Sequence, residues 1–313
     1  MARVFIDNGP VDWPAVLVHG GAGGYARIAN DPGLADRLEA GIGGALDAAW
    51  EPLQAGSALD AVVAAVRALE EDGNFNAGRG SVPTSDGSFE MDGSVMSSDG
   101  HVGAVAGIRA HSAVGAARAV AGEVGAAADT AARVKPGAGA QGAILLVGTG
   151  ADDFAARWAV PELIPTASGR HGVADPEPLS ADGTVGAVAV TADGRFAAAT
   201  STGGRSGQPP GRVGDTPIPG AGVWAQDGCA VSATGAGEAF ILTGFSRSLA
   251  ERNVAGRSLP ESISLALEAV ARFGGDGGGI ALGADHTYVA GYDTRAMARG
   301  LRHLGGRRIV VLD

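Results

Sequence analysis

Strand patterns in this chain come in hairpins and helix patterns come in consecutive pairs, an order that rules out a regular alternation of strand and helix. Ala15-Val16-Leu17-Val18-His19 is a short apolar run ending in glycines, which reads as a buried strand feeding a loop. Leu34, Leu38, Ile42, Leu46 and Trp50 then recur at helical spacing. Ser57 reads as the N-cap of a second helix, with Leu59, Val62, Val63 and Val66 on one face, and residues 74–80 read as a loop. Residues 88–95 and 101–109 form a strand pair around the hairpin signal Asp99-Gly100. Alanine-rich helices are expected over 113–133 and a strand over Ala143 to Val147. A strand resumes at Thr184 to Val190, turns at Asp193-Gly194 and returns over Phe196 to Ser201. Helical periodicity covers 236–253 and 258–272, and short strands are expected near 279–283, 287–291 and 308–312. This order predicts an α+β layered fold.

Several classes of function fall away on composition. The net charge is −11 and Lys135 is the only lysine, so the basic footprint of a nucleic-acid binder is missing. No basic amphipathic helix and no run of about 18 apolar residues argues for a membrane. The N-terminal Met1 to Asp7 lacks the apolar region of a signal peptide. Cys229 is the single cysteine, which excludes an internal disulfide and fits a reducing cytoplasm. With 45% hydrophobic residues there is ample material for a core.

The conventional catalytic motifs also fail. Gly21-Ala22-Gly23-Gly24-Tyr25-Ala26 matches the loose dinucleotide pattern, but Pro32-Gly33 interrupts the helix that pattern requires. There is no Walker lysine, no G-x-S-x-G elbow and no zinc spacing, and the six histidines are scattered and read as structural. What stands out is a junction. From Pro161 to Gly183 the chain is a linker rich in Pro, Gly, Ser and Asp, and it meets an apolar strand at Gly183-Thr184-Val185-Gly186. A threonine opening a strand is ordinarily there for its β-propensity. A break at Gly183–Thr184 would change its chemistry. Thr184 would gain a free α-amine with a pKa near about 7.7–8.0, a base beside its own hydroxyl. Glycine at the preceding position leaves the scissile carbonyl uncrowded.

Seven motifs then occur in one order. They are His19-Gly20-Gly21-Ala22-Gly23, Phe75-Asn76-Ala77-Gly78-Arg79-Gly80-Ser81-Val82, Met91-Asp92-Gly93-Ser94-Val95-Met96 and Gly183-Thr184-Val185-Gly186-Ala187-Val188. Thr200-Ser201-Thr202-Gly203-Gly204, Gly211-Arg212-Val213-Gly214-Asp215-Thr216-Pro217 and Ala233-Thr234-Gly235-Ala236-Gly237-Glu238 follow. With them the chain resembles the type III L-asparaginase/isoaspartyl peptidase, or plant-type asparaginase, family of N-terminal-nucleophile hydrolases, from about Val16 to Arg299.

The resemblance implies a four-layer αββα sandwich, a single domain over 1–313. Self-cleavage at Gly183–Thr184 would divide it into an α subunit, 1–183, and a β subunit, 184–313, which pair again as a dimer of heterodimers. It implies Thr184 as nucleophile, Thr202 holding it in line and Asn76 orienting the region of its amine. Thr234 and the Gly235 N–H would form the oxyanion hole. Arg212 and Asp215 would grip the α-carboxylate and α-ammonium of an amino-acid head, with the Gly237 carbonyl assisting. That division suits the chemistry, since an arginine fork binds carboxylate in bidentate fashion. The implied activity is hydrolysis of the L-asparagine side-chain amide, of β-aspartyl dipeptides, or of both, releasing aspartate without an organic cofactor. A structural sodium ion would rest on the carbonyls of Leu69, Glu70, Asp72, Phe75, Ala77 and Arg79, a donor type that suits hard cations.

Arg79 and Arg205 are departures that would add positive charge if they pointed into the site, and Gly207-Gln208-Pro209-Pro210 stiffens the approach to Arg212. Thr234 could instead cap the helix after it. Other functions stay open at this point: a glycosylasparaginase-like amidase, an unprocessed relative that only binds, a nucleotide-binding protein and an amino-acid carrier.

Overall fold

The computed structural model describes residues 4–23, 31, 33–122, 142–163, 165 and 183–311. In chain order the elements are β1 (Phe5–Pro10), β2 (Ala15–Gly23), α1 (Leu34–Gln54), α2 (Ala58–Asp72), β3 (Met91–Ser97), β4 (Val102–Ile108) and α3 (Ala113–Ala121). Then come β5 (Leu145–Val147), α4 (Gly148–Arg157), β6 (Val185–Val190), β7 (Phe196–Thr202), β8 (Val223–Gln226) and β9 (Cys229–Gly235). The last are α5 (Gly237–Thr243), α6 (Phe245–Val254), α7 (Leu259–Arg272), β10 (Gly277–Gly283), β11 (Thr287–Tyr292), β12 (Ala296–His303) and β13 (Gly306–Val310). Seven α-helices and two sheets thus make a mixed α/β structure among the described residues, in agreement with the α+β expectation.

One sheet has the order β1-β11-β10-β9-β8 and the other β13-β12-β2-β6-β7-β3-β4-β5. Alternation along the strands assigns each face. On β6, Val185, Ala187 and Ala189 pack with Leu38, Ile42 and Leu46 of α1 and Val62 and Val66 of α2. Val188 and Val190 point the other way and meet Ala225, Ala230, Ile280 and Leu282 of the second sheet. The outer face of that sheet, with Val231, Ala233 and Ala281, packs on Phe240, Phe245, Leu249, Ile263 and Leu267 of α5 to α7. Both faces of β6 are covered, which is why its sequence reads as a continuous apolar run.

Most expected elements appear with shifted ends. Ser57 caps α2, its Oγ accepting from the Asp60 N–H at 3.2 Å. The single helix expected over 236–253 is two, broken at Gly244, whose φ of 56° ends α5 and starts α6. The alanine-rich stretch beyond Gly122 and most of the 161–183 linker lie outside the described residues.

Candidate active site

The site is built at one end of both sheets, where β2, β7 and β9 finish and β6 begins. The β6–β7 register pairs Val185 with Ser201, and one step further it sets Thr184 against Thr202. The β2–β6 register pairs His19 with Gly186, and two steps further it sets Gly21 against Thr184. The backbones of Gly21 and Gly183 touch there. A Cβ on Gly183 would lie 2.3 Å from the Gly21 Cα, and Gly21 itself has φ of 106°. Both positions therefore require glycine. Thr184 and Thr202 are buried, and on their strands they fall on the face turned to the second sheet.

Across the gap between the sheets, Ala22 N–H donates to Thr234 Oγ1 at 3.2 Å. The residue beside the Gly21–Gly183 contact is thus tied directly to Thr234. A hydroxyl that accepts one hydrogen bond still has its own proton to donate. Thr234 lies inside β9 and does not cap the following helix. The N-cap of α5 is Ala236, which has no capping side chain. Deeper in the same gap, Ser232 Oγ meets His19 Nε2 at 2.9 Å and Thr200 Oγ1 at 2.8 Å. Burial pushes the His19 imidazole down to about 3, against a smaller upward pull from the Thr184 backbone. His19 is therefore neutral at physiological pH and too weak a base to activate a hydroxyl.

Asn76 is buried, and it joins the loop before β3 to the end of β7. Its Nδ2 donates to the Gly204 carbonyl at 2.7 Å, its Oδ1 accepts from Val82 N–H at 3.2 Å and its own carbonyl accepts from Gly203 N–H at 2.9 Å.

Arg212, Asp215 and Gly237 converge. A Cβ on Gly237 would stand 2.9 Å from Asp215 Oδ1 and 3.1 Å from Arg212 Nη2, so only glycine leaves room between them. The fork of Arg212 does not close on Asp215. Its Nε and Nη2 each donate to Glu238, both at 3.0 Å, and Nη1 donates to Gln208 Oε1 at 3.3 Å. Those bonds hold the Glu238 carboxyl below the usual range. Asp215 is buried, its Oδ2 has no hydrogen-bond partner among the described residues, and burial pushes its pKa up to about 7 against the pull of Arg212.

Of the two departures noted above, Arg79 is exposed. Arg205 is half-exposed with Nη1 3.8 Å from Glu238, so its charge sits beside Arg212. Leu69, Glu70 and Asp72 end α2, and Phe75, Ala77 and Arg79 follow in the loop after it. Two carbonyls of this set press on glycines: a Cβ on Gly78 would lie 2.3 Å from the Glu70 oxygen, and one on Gly80 2.1 Å from the Phe75 oxygen.

Glu70, Gln208 and Glu238 have side-chain roles that sequence inspection passed over. Glu70 is buried behind β7, where Ser201 Oγ donates to it at 2.6 Å, Val114 N–H at 2.9 Å and Ser112 Oγ joins them. Burial pushes this carboxyl up, opposed by those donors. Its place on the buried stripe of α2, beside Val66 and Leu69, was the available signal.

Two apposed sheets thus bring a buried threonine at a strand start opposite Thr202 and gather Arg212, Asp215 and Gly237, groups suited to amide hydrolysis. Comparison with known proteins makes the assignment specific. The family model described as asparaginase matches residues 12–129 and 166–311. The isoaspartyl peptidase of Escherichia coli is 35% identical, with 93% of this chain and 93% of that protein covered. The plant-type L-asparaginase of Pyrobaculum calidifontis is 38% identical, covering 91% and 95%. The isoaspartyl peptidase/L-asparaginase of Rattus norvegicus is 35% identical, covering 90% and 84%. The chain belongs to the asparaginase family and is a hydrolase of that type.

Proposed function

We propose that the protein cleaves its own chain at Gly183–Thr184 and then uses Thr184 to hydrolyse the side-chain amide of L-asparagine and β-aspartyl dipeptides, releasing aspartate. The observation that carries this is the strand register at the site. Thr184 lies opposite Thr202, with Gly183 packed on Gly21 and Ala22 bonded to Thr234 across the sheets. The names of the relatives support the substrate class.

In maturation the Thr184 Oγ attacks the Gly183 carbonyl carbon. The peptide C–N bond breaks, an ester forms, and the Thr184 nitrogen leaves as a free amine. Water hydrolyses the ester. In turnover that amine takes the proton from Oγ, because His19 is too weak a base for the task. The oxygen attacks the side-chain carbonyl, and Thr234 Oγ and the Gly235 N–H hold the oxyanion. Losing one such donor typically costs about 10²–10³ in rate. Thr202 and Asn76 keep Thr184 in line. The leaving nitrogen collects the proton, and water then releases aspartate. Arg212 binds the α-carboxylate with the N–H groups that Glu238 and Gln208 leave over, and Asp215 with the Gly237 carbonyl binds the α-ammonium.

The stack of helices, two sheets and helices supports the four-layer αββα sandwich of N-terminal-nucleophile hydrolases, a single domain cut into 1–183 and 184–313. Dimerisation of that heterodimer is carried over from the family. The single thiol supports a cytoplasmic location, and no helix among the described residues is long and apolar enough to cross a membrane. The carbonyls of Leu69, Glu70, Asp72, Phe75, Ala77 and Arg79 would hold a sodium ion, and the packing of two of them against Gly78 and Gly80 suits an oxygen-lined loop. The ion would stiffen the loop before Asn76.

Intact masses after incubation at neutral pH test the proposal. Two species meeting at Gly183–Thr184, both absent in Thr184→Ala together with all asparagine hydrolysis, are expected. A Thr184→Ala protein that still hydrolyses asparagine overturns the mechanism.

A further inference from the structure

The motif Met91 to Met96 has no part in the chemistry outlined above, yet it begins beside two buried carboxylates. Glu90 and Asp92 are 6% and 3% exposed. Carboxylates are costly to bury unless hydrogen bonds replace their water. Here the bonds go to one loop. Glu90 Oε2 accepts from Gly211 N–H at 2.6 Å, and Asp92 Oδ2 accepts from Gly214 N–H at 3.4 Å. Those two amides bracket Arg212 and Val213. The other carboxylate oxygens anchor the grip to β4 and the residue after it. Glu90 Oε1 accepts from Arg109 Nη2 at 2.7 Å, and Asp92 Oδ1 from Gly107 N–H at 2.9 Å. The backbone of Asp92 also pairs with Thr202.

We propose that Glu90 and Asp92 are positioning residues that clamp the Gly211–Asp215 turn, setting Arg212 and Asp215 at a fixed distance from Thr202 and hence from the nucleophile. The inference rests on the proposed function, since it assumes that this turn holds the substrate head. Gly211 and Gly214 put two conformationally free positions on either side of Arg212 and Val213, and Gly211 adopts φ of 84°. A substrate pulling on Arg212 and Asp215 would displace an unclamped turn. Asp92 also acts on Asp215 through its charge. The charged groups facing Asp215 are Arg212, Asp92 and Glu238, and those facing Asp92 are Arg212 and Glu90.

The test uses the full chain carrying Asp92→Asn or, separately, Glu90→Ala. Self-cleavage is read by intact mass, aspartate binding by calorimetry, and kcat and KM on L-asparagine. Self-cleavage involves no substrate head, so it reports folding and the nucleophile independently. The clamp predicts self-cleavage as in wild type, KM and the aspartate Kd raised about tenfold, and kcat within about twofold. For Asp92→Asn, the pH midpoint of aspartate binding should also move down, because one negative neighbour of Asp215 is gone. Unchanged KM and Kd in both variants overturn the clamp. So does joint loss of kcat and self-cleavage, which would mark the two residues as supports of β3. A wild-type protein that hydrolyses asparagine while the variants bind aspartate normally removes the clamp alone. A wild-type protein that neither binds aspartate nor hydrolyses asparagine removes the proposed function, and the clamp with it.

Discussion

Asp215, proposed above to bind the substrate ammonium, shows at one residue how burying a carboxyl opposes stability. Its pKa is raised in the folded protein to about 7 from 3.8, so the native state holds a proton that the unfolded chain gives up. Stability from this group is present at low pH and lost as pH rises through 7. Asp215→Asn should therefore melt higher than wild type at pH 8, with the gap narrowing by pH 5 and closing only below 3.8, while KM for asparagine rises steeply. Thermal denaturation at both pH values checks this. In the proposed mechanism the substrate ammonium needs Asp215 ionised, and the nucleophile needs its α-amine unprotonated. kcat/KM should accordingly climb from pH 6 to about 8, where the α-amine of about 7.7–8.0 has titrated. A flat profile over that range counts against both assignments. Glu238→Gln loosens Arg212. Because the Glu238 side chain is 56% exposed, the effect should be modest, a rise in KM of about fivefold with little change in kcat. The resemblance set Arg212 and Asp215 to work together, and the two side chains converge on Gly237 without pairing. That Glu238, 26 positions further on, takes the fork could not be read from spacing, because β8, β9 and their turns carry the chain back to Arg212.

Elements with a strong internal period were the legible ones. α1 and α2 each expose one face and bury the other, and the Ser57 cap marks a start that needs no tertiary information. Ser57→Ala should lower stability by about 1 kcal/mol, read by denaturant titration, and leave hydrolysis unchanged. β9 and β12 went unrecognised, although β9 carries Thr234 and Gly235. β9 is built mainly of small residues and β12 sets Arg299 and Arg302 among its apolar ones, so neither carries a clear strand pattern of its own. α4 was missed because it is a ten-residue helix opened by Gly148 and Gly150, poor helix formers. His19 belongs to the element scale, since it helps bolt β2 to β9. Its pKa falls from 6.5 to about 3 on burial, so this group's stability is present above 6.5 and lost as pH falls toward 3.

At the scale of the whole molecule, strand order decides what self-cleavage can do. In the larger sheet, β2 lies between β12 and β6, and β3 lies next to β7. In the smaller sheet, β1 pairs with β11. Strands from before residue 184 thus pair with strands from after it in both sheets, and separating the two pieces would break ladders in each. Cleaved protein should elute from gel filtration as one particle at the position of uncleaved Thr184→Ala, and separate only in denaturant. The chain by itself supplied the seven motifs in one order, and with them the resemblance to the asparaginase family, because such motifs are local runs of residues. It settled the α+β class for the same reason, since period and turn residues are local properties. Tertiary structure alone decided that Thr184 faces Thr202, that Ala22 reaches Thr234, that Glu238 takes the Arg212 fork and that Glu90 and Asp92 grip the turn. Each depends on strand register or on the approach of two sheets, and both are set by packing between segments far apart in the chain.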